Sequence, residues 1–168
     1  MHLTRAQLSW ICYDMANAAF ALIVRTVYAP LFFKDYSAAG MNPTLATSIW
    51  GYVSAGAGLA AGLLAPWLGS IAGANAGRKR FLAAFLGIGV AATLALCFTG
   101  RGDAGLMLIF YFTALVAYMG SNSFYDALLP DIASRGSSDK LSSLSYAWGY
   151  VGGVIPFLVC LGVSLLLK

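Results

Sequence analysis

Two otherwise apolar stretches contain charged and amide side chains, and these residues could bind a solute or an ion. The first stretch carries Asp14, Asn17 and Arg25. At 100° per residue, the 11 positions between Asp14 and Arg25 bring them within about 20° of each other on a helix. Asn17, Ala21 and Tyr28 share that face, which predicts a polar stripe directed at a helix-bundle interior or a water-filled cavity.

The two charges of this stripe allow several roles. About three helical turns separate them, so they cannot pair directly. Arg25 could bind an anion or a carboxylate, pair with an acidic group of another helix, or extend to a membrane interface. Asp14 is a candidate for binding substrate or a coupling ion, and its place near the end of the stretch also fits an interfacial residue.

A second polar group lies further along the chain. Tyr118, Asn122 and Tyr125 follow helical spacing on one face, and Asp126 comes next. Asn122, Tyr125 and Asp126 are further candidates for binding substrate or a coupling ion. Asp126 could bind a basic residue of a loop, carry a coupling proton, or be a plain interfacial charge.

Other kinds of site have no support in the sequence. Cys12, Cys97 and Cys160 lie in apolar stretches, and the single histidine, His2, is terminal. There is no CxxC, no Cys/His ligand spacing, no HExxH and no phosphate loop, so we expect no metal, no cofactor and no enzyme. The basic residues do not alternate with base-stacking aromatics, so we expect no nucleic-acid partner.

Composition predicts the elements that position these groups. Of the 168 residues, 60% are hydrophobic and 10% charged, and the mean hydropathy is +0.79. A soluble domain carries roughly 25% charged residues. The sequence therefore predicts an all-α membrane fold, a single transmembrane domain over residues 1–168 embedded in a lipid bilayer. The five expected spans cover residues of about 10–33, 47–71, 81–98, 106–128 and 144–167.

Basic residues predict the orientation. With the N-terminus in the cytoplasm, six lie inside and three outside, which agrees with the excess of positive charge on cytoplasmic loops. We expect a multi-pass protein of the cell membrane, or of the inner membrane in a bacterium, with no cleaved signal peptide. The inside set is Arg5, Arg78, Lys79, Arg80, Arg135 and Lys140, and the outside set is Lys34, Arg101 and Lys168.

Small residues predict helix packing. The second span carries a stripe on one face that includes Gly58 and Gly62, and the fifth carries Gly149, Gly152 and Gly153 before Pro156. Small residues let membrane helices approach closely, either in a fixed contact or in an interface that slides or rocks. The full stripe is Gly51, Ala55, Gly58, Gly62, Ala65 and Gly69.

Several motifs, taken together in this order, resemble the N-terminal half of the vacuole-effluxer-like (autophagy-related) family of the major facilitator superfamily. Nearly the whole chain takes part in the resemblance. The motifs are residues 9–20 (SWICYDMANAAF), 65–69 (APWLG), 77–80 (GRKR), 124–133 (FYDALLPDIA) and 142–153 (SSLSYAWGYVGG).

The resemblance implies a transporter of two six-helix halves that exports small solutes, amino acids or other metabolites, by alternating access. It assigns Gly69, Gly77, Arg78 and Lys79 to a conformational loop between the second and third spans. The acidic residue usual in that loop is replaced by Gly73. Only five of the implied helices are present, so we expect a fragment, a chain completed by a partner, or a truncated product.

Two functions therefore compete. The first is transport of a small solute as the N-terminal part of a secondary transporter. The alternative is a truncated, non-transporting membrane protein that packs against partner helices.

Overall fold

The computed structural model describes residues 3–72, 75–133 and 138–166, and over these ranges the chain is all-helical, without strands. Five helices are long and apolar enough to cross a membrane, which confirms the predicted fold class of a multi-pass membrane protein. They are α1 (Arg5–Ser37), α2 (Pro43–Ala72), α3 (Asn75–Ala95, ending in a 3₁₀ turn at Leu96–Phe98), α4 (Ala104–Ile132) and α5 (Ser138–Leu166).

The helices begin earlier than the apolar spans because polar residues cap them. Thr4 Oγ1 accepts a hydrogen bond from Gln7 N, and Gln7 Oε1 accepts one from Thr4 N, which forms a capping box ahead of α1. Asn42 Oδ1 accepts from Thr44 N at 2.9 Å, and Pro43 occupies the first position of α2. Hydropathy does not detect these polar turns.

A few residues named in the sequence analysis lie outside the described ranges. They are Leu167, the last residue of the fifth predicted span, the loop residues Gly73 and Arg135, and the terminal residues His2 and Lys168.

Helix α1 is not an α-helix throughout. It is α-helical over Arg5–Ala19, π-helical over Phe20–Tyr28, α-helical over Ala29–Phe32 and π-helical over Phe33–Ser37. The wider π turn bonds each residue to the fifth along rather than the fourth. It therefore advances by less than 100° per residue, and side chains beyond Phe20 point elsewhere than an α-helix would place them.

The chain divides into two compact units. Unit 1 comprises the chain up to Ala29 and from Leu129 onwards, and in it the first part of α1 packs along α5. Unit 2 comprises Pro30–Leu128, with α2, α3 and most of α4. Within unit 2, α4 is the most buried helix, and its inward residues include Tyr111, Leu115 and Phe124.

Large apolar side chains cover the outside of the helices. Leu59, Leu63 and Trp67 of α2 are 66%, 70% and 73% exposed, and Val159 of α5 is 61% exposed. Such surfaces are too apolar for water and suit a lipid environment.

Candidate functional site

The polar centre of unit 1 is a hydrogen bond between its two long helices. Ser145 Oγ of α5, 1% exposed, donates to Asp14 Oδ2 of α1 at 2.8 Å. Gly149 lies one turn further along α5, where a Cβ would come within 3.2 Å of the same carboxylate oxygen. The absence of a side chain at Gly149 therefore leaves space for the carboxylate of Asp14, which is only half-buried.

Glycines let the two helices of unit 1 approach closely around this carboxylate. A Cβ on Gly152 would meet Met15 Cβ at 2.5 Å and the Met15 backbone at 2.6 Å, and a Cβ on Gly153 would meet the Ala18 carbonyl oxygen at 3.2 Å. The predicted packing residues Gly149 and Gly153 both face α1 and are buried.

A second polar contact joins the same helices further along α1. The hydroxyls of Tyr28 and Ser164 are 2.9 Å apart, and Ser164 Oγ donates to the carbonyl of Cys160 at 2.8 Å. Asp14 and Tyr28 thus both face α5, while Asn17 between them is half-buried.

Arg25 is the other charged member of the predicted polar stripe, and its place on the face of Asp14 stays a prediction. It lies in the π-helical part of α1 and is exposed, one residue before the exposed Thr26. Thr26 Oγ1 donates to the carbonyl of Ala21, five residues back, at 2.8 Å, as the π geometry allows. The helical period changes after Phe20, so a rotation of 100° per residue does not describe this part of α1.

In unit 2, the residues of the second polar group on α4 differ in their exposure to solvent. Tyr125 is 6% exposed, Tyr118 and Asn122 are half-buried, and Asp126 is exposed. The spacing that predicts a shared face for the first three residues agrees with their burial, and Asp126 lies on the outer side of α4.

The basic segment at the start of α3 contacts the end of α4. Arg78 Nη1 donates to the carbonyl of Ala127 at 3.1 Å, whereas Lys79 is exposed. Gly77 is essential to this geometry, because a Cβ at that position would collide with the carbonyl oxygen of Ala72. Gly69, by contrast, has open space where a Cβ would lie.

The packing face of α2 differs from the predicted small-residue stripe. Ala57 and Ala61 are 0% and 8% exposed and form the buried side of the helix. A Cβ on Gly58 would have only Met119 Cε nearby, at 4.0 Å, and a Cβ on Gly62 would have nothing within 4 Å. Gly62 therefore faces outward from the described part of the chain.

The family is decided by comparison with known proteins. The family model described as "Vacuole effluxer Atg22 like" matches residues 38–138, which cover α2, α3 and α4 with the loops around them and the first residue of α5. The chain belongs to this vacuole effluxer Atg22-like family. It is also 35% identical over 164 residues to YxiO of Bacillus subtilis (strain 168), named an uncharacterized MFS-type transporter. No solved structure matches the chain.

The Atg22-like chain is shorter than this relative. The match covers 97% of the chain but 38% of YxiO, so the chain spans little more than a third of the length of the relative. The family assignment confirms the resemblance drawn from the motifs around Asp14, Arg78 and Asp126.

Sequence reasoning misses three contributors to the polar and aromatic contacts of this Atg22-like chain. Ser145 could have been found, because it lies four residues before Gly149 on the small-residue face of α5. Trp50 packs against Tyr111 at a centroid distance of 4.0 Å. Ser54 Oγ lies 3.5 Å from the Tyr111 hydroxyl, a long-range contact that no local pattern signals.

Metal chemistry has no candidate in the described ranges, where no group of three or more His, Cys, Asp or Glu residues comes together. The thiols of Cys12 and Cys97 are exposed and Cys160 is half-buried, and all three are free.

Proposed function

We propose that the chain forms the N-terminal part of a secondary transporter that moves a small solute, an amino acid or another metabolite, across the cell membrane. The observation that carries this proposal is the Asp14–Ser145 hydrogen bond between two membrane-spanning helices. A carboxylate within a span is costly and serves function more often than stability. The name of YxiO as an MFS-type transporter adds independent support.

In this proposal Asp14, Asn17 and Arg25 of unit 1 are candidates for binding the solute or a coupling ion. Asn122 and Tyr125 of unit 2 are separate candidates for the same role. Asp126 is exposed and close in sequence to the carbonyl that Arg78 binds, so it takes the role of a coupling or loop-binding charge. The segment of Gly77, Arg78 and Lys79 would link solute binding to movement between the two halves of the complete transporter.

Reconstitution tests the proposal. The longest chain that the locus encodes is purified, placed in proteoliposomes and offered a panel of radiolabelled amino acids and sugars. Saturable uptake that Asp14→Asn abolishes, while Asp103→Asn leaves it unchanged, supports transport through this site. Asp103 is the matched control because it is exposed and caps the loop before α4 through Gly100 N.

A second candidate function rests on the outward small residues of α2. Gly51, Gly62 and Gly69 all have open space where a Cβ would lie, so another helix could approach this face closely. A chain that transports nothing but co-purifies stoichiometrically with another membrane protein, and loses it on Gly62→Leu, would favour partner packing over transport.

A further inference from the structure

Asp14 uses only part of its hydrogen-bonding capacity. Ser145 Oγ occupies Oδ2, and among the described residues no arginine or lysine forms an ion pair with this carboxylate. A carboxylate accepts about four hydrogen bonds when ionised. Half-buried and without a cation from the described part of the chain, Asp14 can still receive a positively charged group.

Two exposed aromatic rings follow this contact along α5. Tyr146 and Tyr150 are 67% and 69% exposed, and their ring centroids lie 6.1 Å apart with an interplanar angle of 58°. Tyr146 directly follows Ser145, which donates a hydrogen bond to Asp14. Tyr150 directly follows Gly149, which leaves space for the Asp14 carboxylate. The ring pair therefore lies about 100° around α5 from the carboxylate, at the same height along the helix.

We propose that Asp14, Tyr146 and Tyr150 form a binding site for an organic ammonium cation. This proposal rests on the proposed transport function and names the class of solute. The carboxylate supplies the counter-charge, and the tilted ring faces attract the cation through their negative π-electron density. Such a cation would neutralise a carboxylate that is costly to leave alone in a membrane span.

Sodium is the competing occupant, and the ring pair argues against it. Hard metal cations select oxygen ligands and retain water, so Asp14 and Ser145 alone would serve sodium. Two adjacent, exposed tyrosine faces add attraction chiefly for a weakly hydrated organic cation.

Equilibrium binding tests the site. The purified chain in detergent is titrated calorimetrically with choline, with its uncharged isostere 3,3-dimethylbutan-1-ol, and with sodium chloride. Choline should bind about tenfold or more tightly than the alcohol, because the two differ in charge but hardly in shape. Equal binding of the alcohol, no binding of choline, or displacement of choline by sodium at equimolar concentration would overturn the proposal.

Variants locate the binding. Asp14→Asn should weaken choline binding about tenfold, and Tyr150→Leu about threefold to tenfold, whereas Tyr150→Phe, which keeps the ring face, should stay within about twofold. Tyr52→Leu is the control, because Tyr52 is 78% exposed on α2. Circular dichroism verifies folding, and the Tyr150 pair carries the test if Asp14→Asn does not fold. Unchanged affinity in Tyr150→Leu would refute the role of the rings.

The binding and uptake experiments distinguish failure of the cation site from failure of the transport function. If the protein binds choline but the longest encoded chain takes up no solute, the proposed binding site is supported and the proposed transport function is contradicted. If the protein takes up other solutes but does not bind choline, the proposed transport function is supported and the proposed cation site is contradicted.

Discussion

Arg78 in α3 donates a hydrogen bond of 3.1 Å to the backbone carbonyl of Ala127 in α4. Pro130, three residues on, has no backbone N–H, so the last turns of α4 make fewer hydrogen bonds of their own. Arg78 therefore adds a side-chain donor to the last turns of α4 and joins two helices of unit 2.

Replacement of Arg78 should loosen the end of α4. Arg78→Ala removes the donor at a cost of about 1 kcal/mol, so amide hydrogen exchange over residues 127–132 should accelerate about fivefold. Hydrogen-exchange mass spectrometry measures this directly. Lys79→Ala is the control, because Lys79 is exposed. The same acceleration in both variants would show that loop charge, rather than this bond, protects the segment.

Gly152 should tolerate no side chain. In Gly152→Ala the new methyl group would lie 2.5 Å from Met15 Cβ and 2.8 Å from the Met15 carbonyl oxygen, so α1 and α5 must separate. We expect a loss of about 1–3 kcal/mol in the free energy of unfolding, as in other overpacked contacts. The matched control on the same helix is Gly162→Ala, where a Cβ would have nothing within 4 Å. Equal denaturation midpoints in detergent would contradict the packing of these two helices.

A larger side chain on the buried side of α2 should lower the free energy of unfolding more than one on the outward glycine stripe. Ala57→Leu adds three carbons at a position that is 0% exposed, and it should destabilise the purified chain by about 1–3 kcal/mol. Gly62→Leu adds four carbons into open space and should change the unfolding free energy by less than about 1 kcal/mol. Thermal unfolding of the two variants in one detergent makes the comparison. Greater loss in Gly62→Leu would mean that the stripe packs within the chain.

The sequence predicts the helices but not their rotations. Apolar length alone indicates five spans, because lipid demands long runs of apolar residues. Hydropathy places their ends too far inward, since the capping groups of Thr4 and Asn42 are polar. Spacing assigns the glycine stripe of α2 to packing, yet alanine at 57 and 61 supplies the buried face, because small residues on every side of a helix make spacing ambiguous.

The candidate site is predictable in its residue types and not in its pairings. Asp14 stands out as a charge in an apolar run, but its partner Ser145 lies 131 residues away, and only the packing of α1 on α5 brings them together. A helical wheel places Arg25 on the same face because the wheel assumes an α-helix. A π-helical stretch has no simple composition signal, so the sequence does not show where that assumption ends.

The loop between α2 and α3 should lie in the cytoplasm. Excess positive charge favours that side, and Lys79 and Arg80, in the first turns of α3 beside this loop, are both exposed. In a background without the three native cysteines, Lys79→Cys should resist an impermeant maleimide added to intact cells and react after lysis. Arg101→Cys, in the loop before α4, should react in intact cells. Lys79 is the better probe than Gly77, whose substitution would strike the Ala72 carbonyl. The reverse labelling pattern would invert the topology.

Arg25 is expected to bind the carboxylate or other anionic group of a transported solute. Its exposure on the π-helical part of α1 leaves it accessible to a solute, and its planar guanidinium can hold a carboxylate with two hydrogen bonds. In the longest encoded chain, Arg25→Lys keeps the charge but loses the two-pronged geometry, so KM for an amino acid should rise about tenfold. Arg25→Gln should impair uptake at least as much at near-normal expression.

The control for Arg25 is Arg101→Gln, an exposed arginine in the loop before α4. It should leave KM unchanged, because that loop lies between helices and not within a span. Two further outcomes distinguish solute binding by Arg25 from an extension of its side chain to the membrane interface. If Arg25 instead extends to the interface, Arg25→Lys should retain full activity, since lysine reaches the interface equally well. Unchanged KM in Arg25→Gln would remove the ligand role altogether.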